Sequence, residues 1–128
     1  MADDTDSAAI EHLCRAYVDA INRQDCHAVA RLFSFPAMMG GVGQPPLAVP
    51  DEAAYVQLIE ATLDQFRSRG WVRTGIDELH TLVTAGGTGF VSIAFTRYRG
   101  DGSVLDSGGA TYVTLRREDR WTLIAAMG

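Results

Sequence analysis

The sequence contains no lysine. All eleven of its basic residues are arginine, set against sixteen acids, for a net charge of −5. Those arginines form no basic stripe, so nucleic acid is not an expected partner. Cysteine is scarce, with only Cys14 and Cys26, and neither belongs to a Cys-x-x-Cys pair. The three histidines, His12, His27 and His80, are scattered and make no His-Glu-x-x-His helix. Without ligand spacing of either kind, neither a metal nor a cofactor is expected. No apolar run approaches the roughly 20 residues that a membrane helix needs, so no membrane partner is expected. Met1 to Asp6 carries three Asp and no Arg, which does not fit a signal peptide and reads as a disordered acidic tail over residues 1–6. Few cysteines and no export signal point to a reducing, cytoplasmic setting.

What is present is ordinary globular composition: 47% hydrophobic and 21% charged residues in a chain of 128. That length makes a single domain over 1–128, because two halves would each be too small to hold a core. The charge is uneven. Residues 1–70 carry five Arg and ten acids, whereas residues 71–128 carry six of each.

Ile10, Leu13, Cys14, Tyr17, Val18 and Ile21 recur at helical spacing and predict an amphipathic helix over 7–22, capped by Asp6 or Ser7. Asn22 to Gln24 reads as a polar break. Asp25 then caps a short second helix with Ala28, Val29, Leu32 and Phe33 inward. Residues 36–50 hold all four prolines together with Gly40, Gly41 and Gly43, which argues for an irregular hairpin or loop and against a long strand. Asp51 caps a third helix over 52–69, with Tyr55, Leu58, Ile59, Thr62, Leu63 and Phe66 on one face and Gly70 at its exit. After Gly70 the pattern changes to strands over 71–85, 90–99, 104–117 and 121–127, separated by Gly-rich or Asp-Gly turns. Trp121 and Leu123 are expected in the core. Helices segregated from a meander of strands mean an α+β fold, in which the sheet must curl to be covered by three helices.

Ala16-Tyr17-Val18-Asp19-Ala20-Ile21-Asn22, followed by Asp25 and Leu32-Phe33, resembles the opening of the nuclear-transport-factor-2-like superfamily. Thr96 to Gly102, Tyr112-Val113 and Arg116 to Trp121 resemble its C-terminal hairpins. The resemblance implies a cystatin-like cone: three N-terminal helices packed on a strongly curved antiparallel sheet, enclosing an apolar cavity. The face of the Arg97 strand that carries Ser92, Ala94, Thr96 and Tyr98 is small or amphipathic and could lie flat against a second sheet, which predicts a homodimer, and the resemblance points the same way. The superfamily includes ketosteroid isomerases and SnoaL-like polyketide cyclases, and its fold hosts many chemistries. In the isomerases a helix-1 Tyr donates to the oxyanion, and Tyr17 sits at the matching position. Their catalytic Asp would fall near Gly41, but Phe35 to Gln44 contains no acid. Their second oxyanion donor would fall at Ala110-Thr111-Tyr112, again without one. Proton abstraction beside a carbonyl needs a positioned base, so the resemblance does not extend to isomerase activity.

The candidate catalytic residues are Tyr17 with His80 or Asp77. Both of the latter lie in the 71–85 strand, on opposite faces by strict alternation, so one faces in when the other faces out. The pattern leaves open which. Arg97 continues the apolar face of Val91, Ile93 and Phe95, which makes it either a strand end emerging into solvent or a carboxylate clamp at the cavity mouth. Tyr55, Met38, Met39, Ile93, Phe95 and Tyr112 complete the candidate ligand-binding wall, with core packing the competing role for Tyr55 and the methionines. Two functions stay open. One is a SnoaL-like pocket protein for a small apolar molecule bearing a polar or anionic group, with a cyclase-, isomerase- or dehydratase-like reaction as its enzymatic form. The other is a non-catalytic binding or dimerisation module whose cavity is a consequence of packing.

Overall fold

The computed structural model describes residues 4–41 and 43–128. Its elements run α1 (Asp4–Asn22), α2 (Cys26–Ala30), β1 (Phe33–Gly41), β2 (Gln44–Val49), α3 (Glu52–Ser68), β3 (Trp71–Val83), β4 (Thr88–Arg99), β5 (Val104–Arg117) and β6 (Arg120–Met127). The fold is α+β: helices laid over one curved six-stranded sheet of order β2-β1-β6-β5-β4-β3. Four long strands were expected. The two further ones come from the Pro- and Gly-rich stretch, where β1 pairs antiparallel with β2 and parallel with β6. Pro45 and Pro46 are tolerated because β2 is an edge strand, where proline's missing N–H costs least, and Pro36 lies in the stretch of β1 between Phe33 and Met38 where the pairing to β6 shifts register.

Helix α3 matches its reading closely. The Asp51 carboxylate accepts from Ala54 N–H at 2.8 Å, and Gly70, at φ +96°, turns the chain out of the helix. A left-handed residue at that point is natural for glycine and strained for others. Asp25 caps α2 in the same way, accepting from Ala28 N–H at 3.1 Å. Helix α1 departs from its reading at the start. It already includes Asp4 to Asp6, so that part of the expected tail is helical, while Met1 to Asp3 lie outside the described residues. Ser7 is therefore no cap: its hydroxyl bonds Thr81 Oγ1 on β3, and Asp6 pairs with Arg116 on β5.

The core lies between α1, α3 and the inner face of the sheet. Ile10, Cys14 and Leu63 from the helices are fully buried with Val91 of β4 and Leu123 of β6. Trp121 is buried as expected. Side chains of this size each contribute about 1.5–3 kcal/mol when buried. Helix α1 crosses the sheet so closely at Gly89 that a Cβ there would stand 2.4 Å from Ile10 Cδ1. No helix among the described residues is long and apolar enough to cross a membrane.

Candidate functional site

Toward the open end of the cone the helices and sheet diverge and leave a cavity of about 410 Å³. Its walls are mostly apolar, built by Ile21 of α1, Leu58 and Ile59 of α3, Ile93 and Phe95 of β4, and Met39 of β1.

Tyr17 enters from α1, where it sits on the same stripe as the buried Leu13, Cys14, Val18 and Ile21. Its ring meets Tyr112 edge-on at 5.2 Å and Phe33 at 6.1 Å. Tyr55 comes from α3 and Tyr112 from β5, and both rings are buried at the cavity wall. The Tyr17 hydroxyl is hydrogen-bonded to those of Tyr55 and Tyr112. Burial raises the pKa of all three phenols above their ordinary value near 10. For Tyr17 the two hydrogen bonds, and more weakly the charge of Arg97, work against burial. For Tyr55 and Tyr112 the charge of Tyr17 and the hydrogen bond to it add to burial. At neutral pH all three groups are therefore protonated donors.

Arg97 lines the cavity, as strand alternation after Val91, Ile93 and Phe95 allows. Its cation is paired there. Nη1 donates to Asp106 Oδ1 at 3.2 Å and Oδ2 at 3.1 Å, and the two residues face each other directly across β4 and β5. Asp106 is also held by Arg69, whose Nη2 donates to Oδ2 at 2.9 Å. The Arg97 guanidinium lies 4.4 Å over the Phe66 ring and 4.7 Å over that of Phe95.

The structure corrects three site expectations. His80 is exposed on the outer face of the sheet, opposite Ser92, with Glu78 3.9 Å away. Asp77 should then point inward, and it does not. A bulge between Ile76 and Glu78 leaves Asp77 as an extra residue in β3, breaking the alternation, and its carboxylate accepts from Thr96 Oγ1 at 2.6 Å in an exposed position. Met38 alternates outward from Met39 and is exposed, so only Met39 reaches the wall. The described residues lining the cavity include no Asp, Glu, His or Cys. Nor do the described residues contain a cluster of three or more metal-ligating side chains. Thr62, Phe66 and the Ala126–Met127 end of β6 also line the cavity. Thr62 and Phe66 were legible as part of the inner stripe of α3, whereas the β6 residues gave no signal.

The profile of the NTF2-like protein family (DUF6841) matches residues 5–128. The chain belongs to that family. No curated protein matches the sequence. Among solved structures, it is similar to an NTF2-like protein with a cystatin-like fold from Novosphingobium aromaticivorans, with TM-score 0.78 and 17% identity over 96% of this chain and 80% of that one. It is similar also to a candidate dehydratase of the NTF2-like family from Streptomyces avermitilis, with TM-score 0.74 and 17% identity over 98% and 96%. A ketosteroid isomerase-like protein from Erwinia carotovora atroseptica gives TM-score 0.69 and 18% identity over 98% and 95%. At these identities the likeness is one of fold, and function rests on the residues of the NTF2-like cavity itself.

Proposed function

We propose that this NTF2-like chain is a small-molecule-binding protein of the SnoaL-like type, whose cavity takes a largely apolar molecule through an oxygen-bearing polar or anionic group. One observation carries the reading: three tyrosine hydroxyls and the Arg97 guanidinium meet in a cavity whose walls are otherwise mostly apolar. Ligand sites have this composition, a few convergent polar groups in an apolar concavity. A cavity that only resulted from packing would be filled by its large side chains, whereas Met39, Tyr55 and Phe95 stand around an open volume.

Hydrogen-bond donors that stay protonated suit a carbonyl, phenolic or carboxylate oxygen. Tyr17 supplies the ligand-facing hydroxyl, and Tyr55 and Tyr112 polarise it. A proton-abstracting isomerase or dehydratase would need a base within hydrogen-bond reach of the substrate. With no carboxylate or imidazole side chain among the described lining residues, the site is suited to binding and polarising a carbonyl, and a reaction here would depend on stabilising an oxyanion. The paired and exposed positions of Asp77 and His80 remove them from that role.

Calorimetry with 2-acetylnaphthalene, a neutral aryl ketone, tests the reading. The expected result is one ligand per chain, weakened by about 0.5–1.5 kcal/mol in Tyr17→Phe, the range for one hydrogen bond. Ala110→Phe, which fills the cavity from β5, abolishes binding. Binding that survives Ala110→Phe unchanged would place the ketone elsewhere on the protein.

We also propose a homodimer through the outer face of β4, where Ser92, Ala94, Thr96 and Tyr98 present small or flat side chains beside the exposed Phe90 and Leu82. Light scattering at micromolar concentration should give twice the chain mass, and a monomer would contradict it. The free thiols of Cys14 and Cys26 fit a cytoplasmic protein.

A further inference from the structure

Arg97 meets the cavity already oriented. Both hydrogen bonds that it makes among the described residues leave from one nitrogen, Nη1, and end on the two oxygens of Asp106. Its central carbon lies over two aromatic rings, those of Phe66 and Phe95. A guanidinium has five N–H donors in a planar fork. With Nη1 engaged by Asp106, the donors left for a ligand are those on Nε and Nη2.

Asp106 does not neutralise this cation, because it is shared. Arg69 holds Oδ2 from the far side, is about half exposed, and does not line the cavity. Two arginines and one aspartate leave one net positive charge, and only Arg97 brings it to the cavity wall. A guanidinium whose Nε and Nη2 make no hydrogen bond among the described residues matches a planar group with two coplanar acceptors and a single negative charge. That group is a carboxylate, bound bidentately. The walls beside it, Ile93, Phe95 and Leu58, suit an apolar body.

We propose that the cavity selects monocarboxylates with an apolar body. Arg97 takes the carboxylate edge-on, and Arg69 acts as a positioning residue that engages Asp106 and so keeps the charge of Arg97 available. The inference rests on the binding reading above and narrows it to one ligand class.

The test is calorimetry on the full chain with two matched acid and amide pairs, 2-naphthoic acid with 2-naphthamide and decanoic acid with decanamide. The wild type should bind at least one acid about tenfold or more tighter than its amide, the scale of a hydrogen bond to a charged group. Arg97→Gln should remove that preference and leave amide binding in place. Arg69→Gln leaves the cavity wall intact. It should weaken the acid about two- to fivefold, leave the amide unchanged, and show a smaller effect in high salt. Because Arg69 is exposed, this variant carries the test even where Arg97→Gln does not fold. Equal affinity of the wild type for acid and amide would overturn the inference and leave the binding reading standing. No binding of any of the four would overturn both. Equal losses for acid and amide in Arg69→Gln would make Arg69 a structural residue and overturn its positioning role.

Discussion

The Asn22 side chain bonds both backbone groups of Thr74: its Oδ1 accepts from the Thr74 N–H at 2.7 Å, and its Nδ2 donates to the Thr74 carbonyl at 2.9 Å. An amide side chain thus acts as a strand neighbour to β3, which is an edge of the sheet. Thr74 in turn pairs across β3 and β4 with Arg97. The end of the helix that carries Tyr17 is in this way tied to the part of the sheet that carries Arg97.

Replacing Asn22 with Ala leaves two partly buried backbone groups without these partners. We expect a loss of about 1–3 kcal/mol in urea unfolding. Asn22→Asp, which keeps the acceptor and loses the donor, should fall between the two. A midpoint unchanged in Asn22→Ala would show that water replaces the amide at no cost.

Gly89 is required by the approach of α1 to β4, not by its backbone angle. Beyond the 2.4 Å approach to Ile10, its added Cβ would lie 3.0 Å from Thr114 Oγ1. Gly89→Ala should destabilise by about 1–3 kcal/mol, the usual range for overpacking a filled core. At Gly86 an added Cβ meets nothing within 4 Å, so Gly86→Ala is the matched control and should unfold like the wild type.

How far the sequence disclosed this arrangement depended on periodicity. Where one face is continuously buried, as in α1, α3 and β4, apolar spacing alone located the elements, and the inward position of Arg97 follows from Val91, Ile93 and Phe95. Where the chain carries a bulge, spacing misleads. The extra residue at Asp77 reverses the alternation that would have placed either it or His80 in the cavity. A second bulge hid Asp106. Counting outward from the Arg99–Ser103 turn puts Leu105 opposite Arg97, and the register shift between Arg97 and Tyr98 puts Asp106 there instead. Prolines and glycines in residues 36–50 were read through their local preferences, whereas β1 is held as a strand by pairing with β6, far away in sequence. The tyrosine cluster draws on α1, α3 and β5, so no local pattern could announce it.

Alkaline pH should unfold the protein through that cluster. The phenols of an unfolded chain ionise near pH 10, while in the folded state burial raises the pKa of Tyr17, Tyr55 and Tyr112. Above that pH the unfolded state holds fewer protons than the folded one, so stability decreases as pH rises. Below pH 10 the contribution is fully present. Urea unfolding between pH 8 and 11 should show a steep loss in the wild type and a shallower one in the Tyr17→Phe, Tyr55→Phe, Tyr112→Phe triple variant. Parallel curves for the two proteins would mean that the cluster ionises freely when folded.

The most direct test of the account is a crystal structure of the protein with 2-naphthoic acid bound. The naphthalene ring should lie in the cavity against Ile93 and Phe95, with the carboxylate within hydrogen-bond distance of Arg97 Nε and Nη2 and Arg97 still paired to Asp106. Naphthoate density only on the outer face of the sheet, or Arg97 turned away from the cavity into solvent, would contradict it.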